Sequence, residues 1–97
     1  MNSLEDISRK LRSAKSDLKK HFHVTNIGIF GSYVRGEQKK SSDIDVLVEF
    51  EEPVSIFRFL DLEDYLANLL GIKVDLVSKS SLKPRIGVQI LKEAVYI

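Results

Sequence analysis

Two aspartates, Asp43 and Asp45, stand one residue apart at the head of the apolar run DIDVLVEF, and a third, Asp75, stands in KVDLVS. Successive side chains of a strand point to opposite faces, so Asp43 and Asp45 share a face about 7 Å apart while Ile44 and Val46 take the other. Asp75, between Val74 and Leu76, likewise leaves the face those two bury. If the two strands are neighbours, three carboxylates converge. At about 6 Å and an effective dielectric of about 20, each pair repels by roughly 3 kcal/mol, so the cluster calls for protons or cations. All-oxygen ligands suit Mg2+ or Mn2+, which keep several waters and share substrate phosphates, whereas zinc would favour His and Cys. Taken singly, each aspartate has an ordinary reading as a solvated strand-end or turn residue. Together they read as a site.

Metal-assisted phosphate chemistry also needs a place for the phosphates. VTNIGIF, residues 24–30, runs into Gly31-Ser32 and the short turn SYVRGE. A strand that enters a helix N-terminus through glycine presents free backbone N–H groups. Gly31 lets the backbone approach an anion closely, and the Ser32 hydroxyl can donate to a phosphate oxygen. Alone, Ser32 reads as an ordinary helix cap. Arg35, one turn on, can reach a phosphate or pair with Glu37 or the aspartates. Lys39 and Lys40 read as solvated loop charges.

The elements that must position these residues follow from periodicity. Leu4, Ile7, Leu11, Ala14, Leu18 and Phe22 recur every three or four residues, which predicts an amphipathic helix over 3–21 with a basic outer face. Residues 24–30 read as a buried strand, 37–42 as a polar loop and 43–50 as a second strand. A helix is predicted from Ser55 to Leu70, with Gly71 at its C-terminus. Residues 73–78 read as a third strand and 79–83 as a loop. Pro84 opens a last helix to about Glu93, and AVYI forms a terminal strand. The order αβ(α)βαβα(β), without repeats or linkers, describes one α/β (α+β) domain over 1–97, with helices packed on a small sheet.

Bulk composition bounds the function. The 97 residues are 43% apolar and 30% charged, with a net charge of +1 and no cysteine. One modest core fits this length; separate catalytic and recognition domains do not. No apolar run approaches the ~20 residues that cross a bilayer, and the charged start has no secretory pattern, so the expectation is a cytoplasmic protein without a membrane role. Neither the net charge nor the placement of Tyr33, Tyr65 and Tyr96 supports direct nucleic-acid binding. Residues 1–23 hold six Lys/Arg against three acids, while residues 43–64 hold eight acids against Arg58 alone. The acidic middle is where chemistry belongs. His21 and His23 read as a helix-end and packing pair rather than as metal ligands.

Gly31-Ser32, ten intervening residues, Asp43-Ile44-Asp45 and the later Asp75 together resemble the nucleotidyltransferase fold of the DNA polymerase β superfamily. Within it, GSYVRGE followed by SDIDVLVEF is similar to the minimal nucleotidyltransferases, antitoxins of bacterial and archaeal pairs whose partner is a HEPN-domain ribonuclease toxin. The likeness runs from about Val24 to the end. Val34 departs from the pattern GSxARG, where many relatives carry Ala, a change that leaves the phosphate site usable. The resemblance implies that Gly31 and Ser32, with Arg35 as a further candidate, bind the triphosphate of ATP. It implies that Asp43 and Asp45 hold two Mg2+ ions, or Mn2+ in their place, and that Asp75 completes the metal site and helps to deprotonate the attacking hydroxyl. The implied reaction is transfer of AMP from ATP to a hydroxyl, tyrosine in the first instance, of the partner toxin.

Two other readings stay open at this point. An antitoxin that keeps these residues can act by covering the toxin's active site, and a nucleotide-sensing domain would bind triphosphate without turnover. Ile56, Phe57, Phe59, Leu60, Leu62, Tyr65, Leu66, Leu69 and Leu70 are too many for one narrow helical stripe. Residues 55–70 are therefore either deeply buried in their own domain or a face for self-association or a hetero-complex.

Overall fold

The structure, a computed structural model, describes residues 3–97. Ser3 opens the first helix by accepting the Asp6 N–H at 3.1 Å, and α1 runs Leu4–Phe22 with Ile7, Leu11, Ala14 and Leu18 on its buried stripe. Lys19, Lys20 and His21 in its last turn sit where cations favour a helix dipole. His23 closes it in the left-handed conformation (φ 59°), its N–H returning to the Leu18 carbonyl. The two histidines thus have the helix-end role expected of them.

The chain then enters β1 (Val24–Phe30), turns through the short helix α2 (Ser32–Arg35), and returns as β2 (Ile44–Phe50). Helix α3 (Ile56–Leu70) carries it back to β3 (Val74–Ser78), and α4 (Pro84–Glu93) leads to β4 (Val95–Tyr96). Lys79–Ser81, expected as plain loop, winds into one 3-10 turn. The sheet order is β3-β2-β1-β4. β1 pairs antiparallel with both β2 and β4, whereas β2 and β3 are parallel, as a strand–helix–strand crossover requires. The expected small mixed sheet with flanking helices is the one found.

One face of that sheet forms the core. Ile27 and Ile29 of β1, Ile44, Val46 and Val48 of β2, and Val74 and Leu76 of β3 are buried together with Ile7, Leu11 and Leu18 of α1 and Leu62, Leu66 and Leu70 of α3. The strict alternation that buries these residues turns Asp45 and Asp75 to the opposite face. The apolar pattern therefore aims the carboxylates.

Helix α3 divides along its length. Leu62, Leu66 and Leu70 are buried, but Ile56, Phe57 and Leu60 are 61%, 77% and 47% exposed, so deep burial of the whole helix does not hold. Beside this exposed turn, a groove of about 800 Å³ is lined by Glu49, Phe50, Pro53, Val54, Ile56 and Phe59 among others. It lies at the C-terminal ends of β2 and β3, away from Asp45 and Asp75. Among the described residues no helix is long and apolar enough to cross a membrane.

Candidate active site

Register assembles the site. In the parallel pair, Asp45 stands directly opposite Asp75. In the antiparallel pair, Asp45 stands opposite Phe30, the residue before Gly31. Asp45 is thus the hinge between the acidic pair and the glycine turn.

Gly31 shows how tightly these parts meet. Its φ of 79° and ψ of −150° belong to a region open almost solely to glycine. A Cβ there would fall 2.0 Å from Asp45 Oδ2 and 3.0 Å from Cγ. No side chain fits between the turn and the carboxylate.

The electrostatics are those of crowded acids. Burial pushes the Asp45 carboxyl up to about 6, helped by the charge of Asp75, a hydrogen bond with Asp75 and the charge of Asp43, with Arg35 opposing. Asp45 is half-buried; Asp43 and Asp75 are exposed. Asp43 lies just ahead of β2, where the ladder starts with Ile44 N–H donating to the Lys73 carbonyl at 3.0 Å. It is therefore outside the strand in which the alternation argument placed it, although its charge still acts on Asp45. Among the described residues no three such side chains form a group ready to hold a metal ion as they stand. The donor set itself, carboxylate oxygens with one carboxyl forced toward protonation, suits a hard divalent cation.

The turn differs from expectation in its cap. Gly31, not Ser32, caps α2: its carbonyl accepts from Val34 N–H at 3.1 Å and Arg35 N–H at 3.2 Å, and no side chain serves as cap. Ser32 is the first helical residue, so its N–H has no intrahelical acceptor. Its hydroxyl is not committed to capping. Gly36 ends α2 in the left-handed conformation.

Arg35 pairs with carboxylates, but not with the aspartates. Its Nε donates to Glu37 and one terminal nitrogen to Glu93, and these two hydrogen bonds, Glu37 first, raise its pKa further. The other oxygen of Glu93 accepts the Gly31 N–H at 3.2 Å. Glu93 is a site residue that sequence reasoning missed. Nothing local marks it, because its partners lie 58 and 62 residues away.

A mixed four-stranded sheet, with in-register aspartates on its one parallel pair and a glycine turn against one of them, defines the nucleotidyltransferase class. The chain matches the Nucleotidyltransferase domain family over residues 9–97 and belongs to it. It is 53% identical over 97 residues to the protein adenylyltransferase MntA of Thermococcus cleftensis, covering 100% of this chain and 98% of that one. Among solved structures it resembles a candidate minimal nucleotidyltransferase, with a TM-score of 0.81 and 38% identity over 97% of this chain and 95% of the other. It also resembles a toxin–antitoxin solved with AMP-PNP, with a TM-score of 0.76 and 27% identity over 91% of this chain and 69% of the other. The family, the fold and the enzyme class implied by the resemblance of GSYVRGE and SDIDVLVEF are those found.

Proposed function

We propose that the whole chain, 1–97, acts as one Mg2+-dependent protein adenylyltransferase domain, the antitoxin of a toxin–antitoxin pair, and moves AMP from ATP to a hydroxyl of its toxin. The observation that carries this reading is the in-register Asp45–Asp75 pair packed against Gly31. The name of the 53% identical relative supports AMP transfer, and the toxin–antitoxin solved with AMP-PNP supports both the nucleotide and the kind of partner. A HEPN-domain ribonuclease as toxin and tyrosine as acceptor rest on the resemblance of GSYVRGE and SDIDVLVEF. A cytoplasmic location follows from that role.

In this reading Asp43, Asp45 and Asp75 would hold Mg2+ or Mn2+, which supplies charge neutralisation at the attacking and leaving oxygens. Gly31 and Ser32 bind the triphosphate through the backbone at the start of α2 and the Ser32 hydroxyl, and Arg35 adds a fixed positive charge beside it. The acceptor oxygen bonds to the α-phosphorus as the bond to the β-phosphate oxygen breaks. Pyrophosphate leaves with that electron pair. Asp75, exposed and beside Asp45, takes the acceptor's proton. The exposed turn at Ile56, Phe57 and Leu60, at the other end of the sheet from the aspartates, serves as a hetero-complex face that holds the toxin.

Incubation with ATP labelled at the α-phosphate, Mg2+ and the toxin tests the reading. Label is expected on the toxin, and none with Asp45→Asn. If no label transfers and Asp45→Asn neutralises the toxin as well as the natural chain does, the protein works by covering its partner.

A further inference from the structure

Glu93, in the last turn of α4, spends both carboxylate oxygens on the glycine turn and its helix. Oε2 accepts the Gly31 N–H at 3.2 Å, and Oε1 accepts from the Arg35 guanidinium. A backbone N–H at the start of α2 and a guanidinium one turn on form the pair of donors that would clasp a phosphate. Here an anion from the chain itself already fills the clasp. The contact is sheltered on one side: the Glu93 side chain is 20% exposed and that of Arg35 51%.

The element that carries Glu93 is weakly held elsewhere. Gly87 is the only buried residue of α4, close against Leu82, while Ile86, Val88 and Leu91 are 58%, 55% and 38% exposed. No α4 residue belongs to the buried core cluster. Downstream, β4 keeps its own pairing to Gly28 and Ile29. Glu93 can therefore leave the clasp, and α4 can loosen, without disturbing the core.

We propose that Glu93 is an internal phosphate mimic, a latch that holds α4 on the Gly31–Arg35 clasp until a phosphate of the incoming nucleotide expels it. Nucleotide binding and the attachment of α4 then oppose each other. The free protein binds triphosphate more weakly than the bare clasp would, by the fraction of molecules in which the latch is open. This inference rests on the reading of the glycine turn as a nucleotide site.

The test uses the full chain, Mg2+ and AMP-PNP as probe. Calorimetric titration of the natural chain is set beside Glu93→Gln, which removes the charge, and Glu93→Asp, which keeps the charge but shortens the reach. Amide exchange over residues 84–93 is followed in parallel. Both variants are expected to bind roughly five- to thirty-fold tighter, because the competing anion is gone from the clasp in each. Their α4 amides are expected to exchange faster than those of the natural chain before nucleotide is added. In the natural chain the same amides should speed up on adding AMP-PNP. Tighter binding in Glu93→Gln alone would overturn the latch, because general charge removal then accounts for it. Unchanged or weaker binding in both variants would overturn it too, making Glu93 a support of the clasp. If none of the three proteins takes up AMP-PNP, the nucleotide reading itself fails, an outcome distinct from nucleotide binding without a difference.

Discussion

Asp45 packs so closely against Gly31 that a Cβ on the glycine would meet Asp45 Oδ2 at 2.0 Å. The turn and the acidic pair are one unit, and a change in either moves the other.

Gly31→Ala makes this measurable. The left-handed φ of 79° strains any other residue, and the new methyl must displace the Asp45 carboxylate. A loss of about 2–4 kcal/mol in urea unfolding is expected, with AMP transfer abolished. A variant as stable as the natural chain would contradict the packing of the turn.

Asp45→Asn should have the opposite effect on stability. The native carboxyl is raised to about 6, against about 4 in an unfolded chain. Above pH 6 the group is charged in both states and the native state bears the cost of crowding. As pH falls from 6 to 4 the native state takes up the proton first, so this cost disappears as acid is added. The substitution should therefore stabilise the metal-free protein at pH 7.5 by about 1–2 kcal/mol after discounting for partial exposure, and by little near pH 4. Thermal melts across that range check the sign.

Mg2+ gives a complementary measurement. A cation bound only by the folded chain raises its melting temperature. The natural protein should gain with added Mg2+, whereas Asp45→Asn and Asp43→Asn should gain much less. Without metal, Asp43→Asn should change stability by no more than about 0.5 kcal/mol, since Asp43 is exposed ahead of the ladder. Equal Mg2+ responses in all three proteins would remove the aspartates as ligands.

Along α3 two substitutions should separate folding from docking. Leu66 is 0% exposed, and Leu66→Ala should cost about 2–5 kcal/mol. Phe57 is 77% exposed, and Phe57→Ser should leave unfolding within about 0.5 kcal/mol while weakening the complex with the toxin proposed as its partner. Co-purification yields and denaturant midpoints read the two effects apart.

What could be read from the sequence was what local pattern determines. The alternation of Ile44, Val46 and Val48 fixed which way Asp45 points, and Ser55 and Gly71 bounded α3 within a residue. The meeting of Asp45 with Asp75 was legible only on the condition that their strands are neighbours, a fact of topology rather than of spacing. Asp43 was placed on the strand because an Asp-x-Asp pattern does not say where the hydrogen-bond ladder begins. Ser32 looked like a cap by residue type, but the left-handed Gly31 starts the helix one position earlier. Arg35 had a local partner, Glu37, within view; its second partner, Glu93, comes from the far end of the chain and left no periodic trace.

The apposition of Asp45 and Asp75 also bears on how such a protein decays over generations. Loss of the charge at either position relieves crowding, so disuse and thermodynamic advantage push in the same direction. Copies released from selection should therefore lose one of these two acids early while the hydrophobic scaffold persists. Such well-folded remnants, neutral at one of the two positions, would be the genomic signature of an abandoned catalyst.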